Sequence, residues 1–176
     1  HPDPGRYQRD YESVAHLSTL RPQARVLELG PGAGTRLAAL KSMGMHVTGI
    51  EQNPAMAQLC AGQGIEMITE DFYRHSPQHS YDIIILGDVI EHLPKLHDTI
   101  HTCRKLLSDT GLLWISTPLH DSPVLTQRRS RGRDPYFVQV EHAHYFSSRS
   151  MTALAEKHGL SLIGRQQSRS FIGSGE

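Results

Sequence analysis

Nothing narrows the fold of this chain more than Val26-Leu27-Glu28-Leu29 running straight into Gly30-Pro31-Gly32-Ala33-Gly34. The apolar run reads as a short buried strand. The glycines permit a tight turn and let the backbone approach a ligand with no side chain in the way. Beyond them Leu37, Leu40 and Met43 recur at helical spacing, so the unit is strand, glycine turn, helix.

The same alternation continues along the chain and argues for βαβ units around a mostly parallel sheet. His46 to Ile50 is a second strand, and Asn53-Pro54 supplies an N-cap with proline at the first helical position. Ile65 to Ile68 is a third. Ile83-Ile84-Ile85-Leu86, unbroken and mostly β-branched, suits a central strand covered on both faces. Ile100, Cys103, Leu106 and Leu107 repeat at helical spacing, Asp109-Thr110-Gly111 makes a turn, and Leu112 to Ser116 is a fifth strand. Met151, Leu154, Ala155 and His158 mark a further helix, Leu160 to Ile163 a sixth strand, and Tyr7 to Leu20 an N-terminal helix over the sheet. The expected fold class is α/β, a Rossmann-like, doubly wound, mostly parallel sheet with helices on both faces. At 176 residues the chain fits one domain, 1–176. Within it, 1–23 is expected to form a helical cap and 119–146 a substrate lid. The lid is inferred because residues 119–140 show no clear period and hold Pro123, Gly132, Pro135 and an arginine cluster.

Composition removes several function classes. Lys plus Arg and Asp plus Glu both total 18, which argues against nucleic acid as a partner. No apolar run approaches the roughly 20 residues that a bilayer span needs, and there is no basic-then-apolar leader. The chain opens on His1, as a trimmed chain would. Cys60 and Cys103 fall on apolar helix faces without a Cys-x-x-Cys spacing, so both read as small buried side chains in a reducing, cytoplasmic setting.

In an open parallel sheet the ligand crevice lies beyond the carboxyl ends of the strands, where strand order reverses. Glu51 closes the second strand 21 positions after Gly30, where an acid accepts hydrogen bonds from ribose hydroxyls. Two ligand classes use this geometry. A dinucleotide fingerprint needs glycine where Thr35 stands. Glu28-x-Gly30-x-Gly32-x-Gly34 places a carboxylate beside the turn instead, which repels a pyrophosphate and suits the ammonium of a methionine moiety.

With these residues in place, the chain resembles the class I S-adenosylmethionine-dependent methyltransferases, especially the group containing the ubiquinone-biosynthesis O-methyltransferases. Val26 to Thr35, Val47 to Pro54, Glu70-Asp71-Phe72, Tyr81 to Pro94 and Gly111 to Pro118 match that family's motifs in order, and Glu141 to Phe146 resembles a motif before its last helix. The resemblance implies transfer of a methyl group from S-adenosylmethionine to a small-molecule acceptor, at oxygen, with S-adenosylhomocysteine as product. It places Glu28, Gly30, Gly32 and Gly34 around the methionine part, Glu51 on the ribose and Gln52 beside the adenine. Asp71 and Phe72 would recognise and cover the adenine edge, and Gly87 and Asp88 would lie next to the sulfonium. The family's closing hairpin has only Phe171 to Glu176 left for its seventh strand, so that sheet edge departs from the pattern.

His92 follows the central strand closely and is the candidate base or substrate-orienting group, with Asp88 as its catalytic companion. Asp88, Glu91 and His92 stand at i, i+3 and i+4, on one face of a helical turn. With His144 or His142 arriving from a distant loop they form an alternative divalent metal set, similar to one in small-RNA 2′-O-methyltransferases. The favoured expectation is no metal. The competing readings are a metal-dependent RNA ribose methyltransferase, a non-catalytic S-adenosylmethionine-binding domain, and an NAD-dependent oxidoreductase. His97 and His101 are four apart, with no obvious third ligand. Arg128, Arg129, Arg131 and Arg133 read as a solvated run or an anion grip, and Tyr136 and Phe137 as pocket lining or a loop anchor. Tyr7 and Tyr11 either pack on the sheet or close over the cofactor.

Overall fold

A computed structural model describes residues 4–132 and 141–164. The expectations for Arg133, Tyr136, Phe137 and a seventh strand at Phe171 to Glu176 lie outside the described residues, as do those for the side chains of Tyr7 and Arg128. Helix α1 (Pro4–Leu20) leads into β1 (Arg25–Leu29), α2 (Thr35–Ser42), β2 (His46–Ile50), α3 (Pro54–Gly62) and β3 (Glu66–Ile68). Then follow β4 (Tyr81–Gly87), α4 (Leu96–Leu106), β5 (Leu107–Ser116), α5 (Pro123–Ser130) and α6 (Ser148–Lys157). Single 3-10 turns sit at Phe72–Arg74 and Ile90–His92.

The sheet order is β3-β2-β1-β4-β5, and every pairing is parallel. Strand order reverses between β1 and β4, so the crevice of a doubly wound fold opens at Gly30 and Gly87. Strand β4 shows why its sequence is uninterrupted. Ile83 and Ile85 join a core with Val26, Leu37, Leu40, Cys60 and, from α1, Val14 and Leu17. Ile84 and Leu86 join a second core with Leu27, Ile50, Ile100, Cys103 and, from α6, Leu154. Alternate side chains thus feed two buried layers, and neither face has room for a polar residue.

Caps explain several boundaries. The Asn53 side chain accepts from Ala55 N at 3.0 Å, and Pro54 occupies the first turn of α3. Ser147 and Ser150 close a capping box on α6. Helix α5 lies in a stretch that lacks periodicity, because eight residues are too few to show one. Its start still carries a local signal. Ser122 Oγ accepts from Leu125 N at 3.3 Å just ahead of Pro123.

Two expectations are corrected. Strand β5 begins at Leu107, which pairs with Tyr81, and the ladder then jumps to Ile83 with Leu112. The Asp109-Thr110-Gly111 turn is therefore a bulge inside β5, held from outside by the Arg21 guanidinium on the Thr110 carbonyl. Leu160 to Ile163 forms no ladder among the described residues, and Leu162 and Ile163 are 51% and 75% exposed. A strand needs a hydrogen-bonded neighbour, and apolar content alone does not supply one. No helix among the described residues is long and apolar enough to cross a membrane.

Candidate active site

The glycine turn after β1 is held open by backbone geometry. Gly30, Gly32 and Gly34 all have positive φ. Gly34, at φ 75, caps α2, and a methyl group there would lie 2.8 Å from Cys60 Sγ. Burial, then the nearby carboxylates of Glu51 and Glu28, push the Cys60 thiol up, so it stays protonated and donates to the Gly32 carbonyl at 3.2 Å. Cys60 thus braces the turn, a role that reading it only as small and buried misses. Glu51 fastens the same turn from β2: one carboxylate oxygen accepts from Asn53 N at 2.8 Å and the other from Gly32 N at 3.3 Å. The sequence-predicted pair, glycine turn and strand-end acid, is physically joined.

Glu28 behaves differently from a free carboxylate facing the turn. It is 0% exposed, and its Oε1 accepts from Arg36 Nε at 2.7 Å. Arg36 is itself only 6% exposed, although it sits on a helix that packs against the sheet. It also donates from Nη2 to the Gly87 carbonyl at 2.9 Å, lies 3.9 Å from Asp88 Oδ2, and stacks over the Trp114 ring at 6.0 Å. One guanidinium thus ties the ends of β1 and β4 together. A side chain at Gly87 would collide with it, since an added Cβ would lie 2.2 Å from Nη2. Arg36 is the residue that motif reading missed. Its signal was Glu28 itself, because a carboxylate inside an apolar strand requires a buried partner.

Asp88 follows β4 in the left-handed region at φ 56, a conformation that aspartate tolerates better than most residues. Its backbone N–H donates to Ser116 O at 2.8 Å, and Ser116 Oγ donates to Asp88 Oδ1 at 3.1 Å. Gln52 is exposed at the β2 end. Asp71 caps the first 3-10 turn by accepting from Tyr73 N at 2.9 Å. Phe72, 3% exposed, packs with Leu27 and Ile50 in the second core, so its ring is turned inward while Tyr73 is the exposed neighbour.

The segment 141–144 is fastened over the turn that follows β4. Ala143 N and His144 N both donate to Glu91 O, at 2.8 and 3.0 Å. His92 Nδ1 lies 2.9 Å from Glu141 O, and a carbonyl only accepts, so Nδ1 is the donor and Nε2 is the ring nitrogen left for other partners. The alternative metal set is redrawn by this geometry. Asp88 turns to Ser116, and His144 Nε2 donates to Leu93 O at 3.0 Å, while Glu91, His92 and His142 converge. The three-residue 3-10 turn is the reason, because it does not hold Asp88 on the face that i, i+3, i+4 spacing supplies in an α-helix. His97 does gain a neighbour: its Nδ1 lies 2.9 Å from His158 Nε2 of α6. Burial, then His97, lowers the pKa of His158. Arg129 Nη1 donates to His120 O, and Tyr11 is exposed on α1.

The family model described as Methyltransferase domain matches residues 5–164. The chain belongs to this methyltransferase family. A ubiquinone biosynthesis O-methyltransferase of Glaesserella parasuis is 35% identical over 106 residues, 53% of this chain and 44% of the relative. C-methyltransferase NovU of Streptomyces niveus is 25% identical over 144 residues, 78% of this chain and 33% of NovU. The methyltransferase therefore spans under half the length of these two relatives. Among solved structures, an S-adenosylmethionine-dependent methyltransferase of Thermotoga maritima, a possible histamine N-methyltransferase, superposes at a TM-score of 0.68 with 19% identity, covering 88% of this chain and 70% of the other. CalS10 of Micromonospora echinaspora, an amino pentose methyltransferase solved with S-adenosylmethionine, gives 0.55 at 22% identity, with 62% and 49% covered. The chain is a class I, S-adenosylmethionine-dependent methyltransferase domain with the Rossmann-like sheet expected of it.

Proposed function

We propose that the domain methylates an oxygen of a small-molecule acceptor, with His92 taking the acceptor's proton or orienting its hydroxyl. The carrying observation is the His92 hydrogen bond: Glu141 O accepts from Nδ1, which leaves Nε2 as the ring nitrogen able to exchange a proton with the acceptor. When bound, S-adenosylmethionine supplies a methyl group on a sulfonium, which passes to an acceptor lone pair as sulfur keeps the electrons of the broken bond. The residues present fit that ligand. Gly32 opens onto free space, Glu51 lies beside it for the ribose hydroxyls, and Asp71 stands at the end of β3 for the adenine. Gly30, Gly34 and Gly87 let Val89, Cys60 and Arg36 pack closely behind the turn, and Asp88 stands where the crevice opens. Oxygen as acceptor atom is supported by the O-methyltransferase named at 35% identity. The zero charge balance supports a small molecule over nucleic acid. Residues 1–23 serve as cap and 119–146 as lid, and the two free, buried cysteines support a reducing, cytoplasmic setting.

Calorimetry with S-adenosylmethionine and with NAD tests the donor, and only the first is expected to bind. A metabolite screen read out by S-adenosylhomocysteine release finds the acceptor. With that acceptor, His92→Ala is expected to lower kcat by about 10²–10⁴-fold. Full turnover in the variant removes His92 from the chemistry.

A further inference from the structure

The amino-terminal ends of the strands, opposite the crevice, carry a notch that follows from how the chain crosses from β3 to β4. Full helices follow β1, β2 and β4, whereas only the 3-10 turn Phe72–Arg74 lies between β3 and β4. Side chains alternate along a strand, so Arg25 shares a face with Leu27, His46 and Thr48 with Ile50, and Glu66 with Ile68. Leu27, Ile50 and Ile68 on that face pack in the second core. Below them Arg25, His46 and Glu66 are exposed, and together with Lys41, Thr48 and Tyr81 they line a cavity of about 320 Å³. We infer that this cavity binds a small amino carboxylate, with its carboxylate on Arg25 and His46 and its ammonium on Glu66.

The placement of charge identifies the ligand. In the strand register Arg25 is the partner of His46, and Thr48 is the partner of Glu66. Cations, hydroxyl and carboxylate therefore follow one another across β1, β2 and β3. Among the described residues the Arg25 guanidinium and the His46 ring make no hydrogen bond or ion pair, and only the Arg25 backbone N–H is engaged, by Asp82 Oδ2 at 2.9 Å. Glu66 has a hydroxyl for company: its Oε2 accepts from Thr48 Oγ1 at 3.2 Å. Arg25 and Glu66 are two strand spacings apart, about 10 Å, and a ligand with charge at both ends bridges them. A plain anion would meet Glu66 on the same face, and a plain cation would meet Arg25. A carboxylate suits the planar guanidinium, whereas a phosphate would bring a second negative charge toward Glu66.

The floor of the cavity is fixed. Tyr81 and Thr48 are 3% and 7% exposed. The Tyr81 hydroxyl lies 3.0 Å from His75 Nε2, and His75 Nδ1 lies 2.6 Å from Glu70 Oε1. Burial above all pushes the Tyr81 phenol up, so it stays a neutral hydroxyl beside the ligand's anionic end. Lys41 donates to Gln63 O at 3.3 Å and to Gly64 O, which holds its positive charge at the rim. Arg25 is left as the group with unused N–H donors. The cavity stands at the opposite end of the strands from the glycine turn and does not depend on the methyl-transfer reading.

The test titrates the protein at low salt with ε-aminocaproate, caproate and hexylamine, three probes that differ only in which ends are charged. Amide NMR shifts of Thr48 and Gly64 report binding. We expect one equivalent of ε-aminocaproate to bind, with caproate and hexylamine each at least about tenfold weaker, because each lacks one charge-assisted contact. Arg25→Gln is expected to weaken ε-aminocaproate about tenfold and leave hexylamine unchanged. Glu66→Gln is expected to weaken ε-aminocaproate by a similar factor and leave caproate no weaker. Both positions are exposed, and circular dichroism confirms that the variants fold. No shift at Thr48 and Gly64 with any probe, caproate as tight as ε-aminocaproate, or an unchanged affinity in Arg25→Gln overturns the proposal. S-adenosylmethionine affinity is measured on the same samples and is expected to stay unchanged in both variants. A parallel loss of donor affinity would show that the cavity is not a separate site, whereas a parent chain that binds ε-aminocaproate but no donor removes the methyl-transfer reading alone.

Discussion

Arg36→Ala is expected to lower the unfolding free energy by about 3–5 kcal/mol, the range for removing one partner from a buried ion pair. The loss comes less from the missing attraction than from what remains. Glu28 is 0% exposed, so its carboxylate loses its guanidinium partner while still buried beside β4. The variant also leaves the Gly87 carbonyl without its guanidinium donor and removes the cation over Trp114. Urea unfolding measures this as a shift of the midpoint at unchanged slope. The double variant Glu28→Leu, Arg36→Met separates the two contributions. It removes both charges of the pair, so it is expected to lose less than the sum of the single changes, a coupling visible in a double-mutant cycle. An Arg36→Ala effect within about 0.5 kcal/mol, the size of a surface substitution, would sink the claim that this pair locks the strand ends.

The same pair shows where sequence reading stops. The glycine turn, the Asn53-Pro54 cap and the apolar run of β4 are local, and each forms where its residues place it. Arg36 is local too, but its burial is not. A charge on a helix ordinarily reads as a solvated face, and only the fold shows that residue 36 points at residues 28 and 87. The bulge in β5 is hidden for a related reason, because the pairing of Leu107 with Tyr81 is a contact between distant segments. At the candidate site, spacing sets Glu91 beside His92 but cannot say how the irregular segment carrying His142 and His144 meets them. That is decided by the Ala143 and His144 N–H groups, which both donate to the Glu91 carbonyl. Phe72 illustrates the opposite error of scale: a motif position next to the crevice does not tell which way a ring turns, and the second core claims it.

The prediction with the largest effect on ligand affinity concerns Gly32. Gly34 and Gly32 both have positive φ, yet an added methyl group meets different surroundings at each. At Gly34 it strikes Cys60 Sγ and comes within 3.1 Å of Ile65 Cδ1, so alanine there disrupts the packing of α3 against the turn. At Gly32 it meets nothing within 4 Å. Gly32→Ala therefore pays only the left-handed backbone cost, about 1–2 kcal/mol of stability. Its methyl group projects into the space where the donor is proposed to lie against the turn. Excluding a ligand atom from that contact, and disturbing the Gly32 N–H that Glu51 holds, is expected to weaken S-adenosylmethionine by about 100-fold, or 2.7 kcal/mol. Calorimetry reads the affinity, and thermal unfolding without ligand reads the stability. The decisive pattern is a large affinity loss in Gly32→Ala with a small stability loss, against a large stability loss in Gly34→Ala. Should Gly32→Ala bind the donor as tightly as the parent chain, the turn is not where the ligand sits. The positive φ at that glycine would then serve the chain reversal alone.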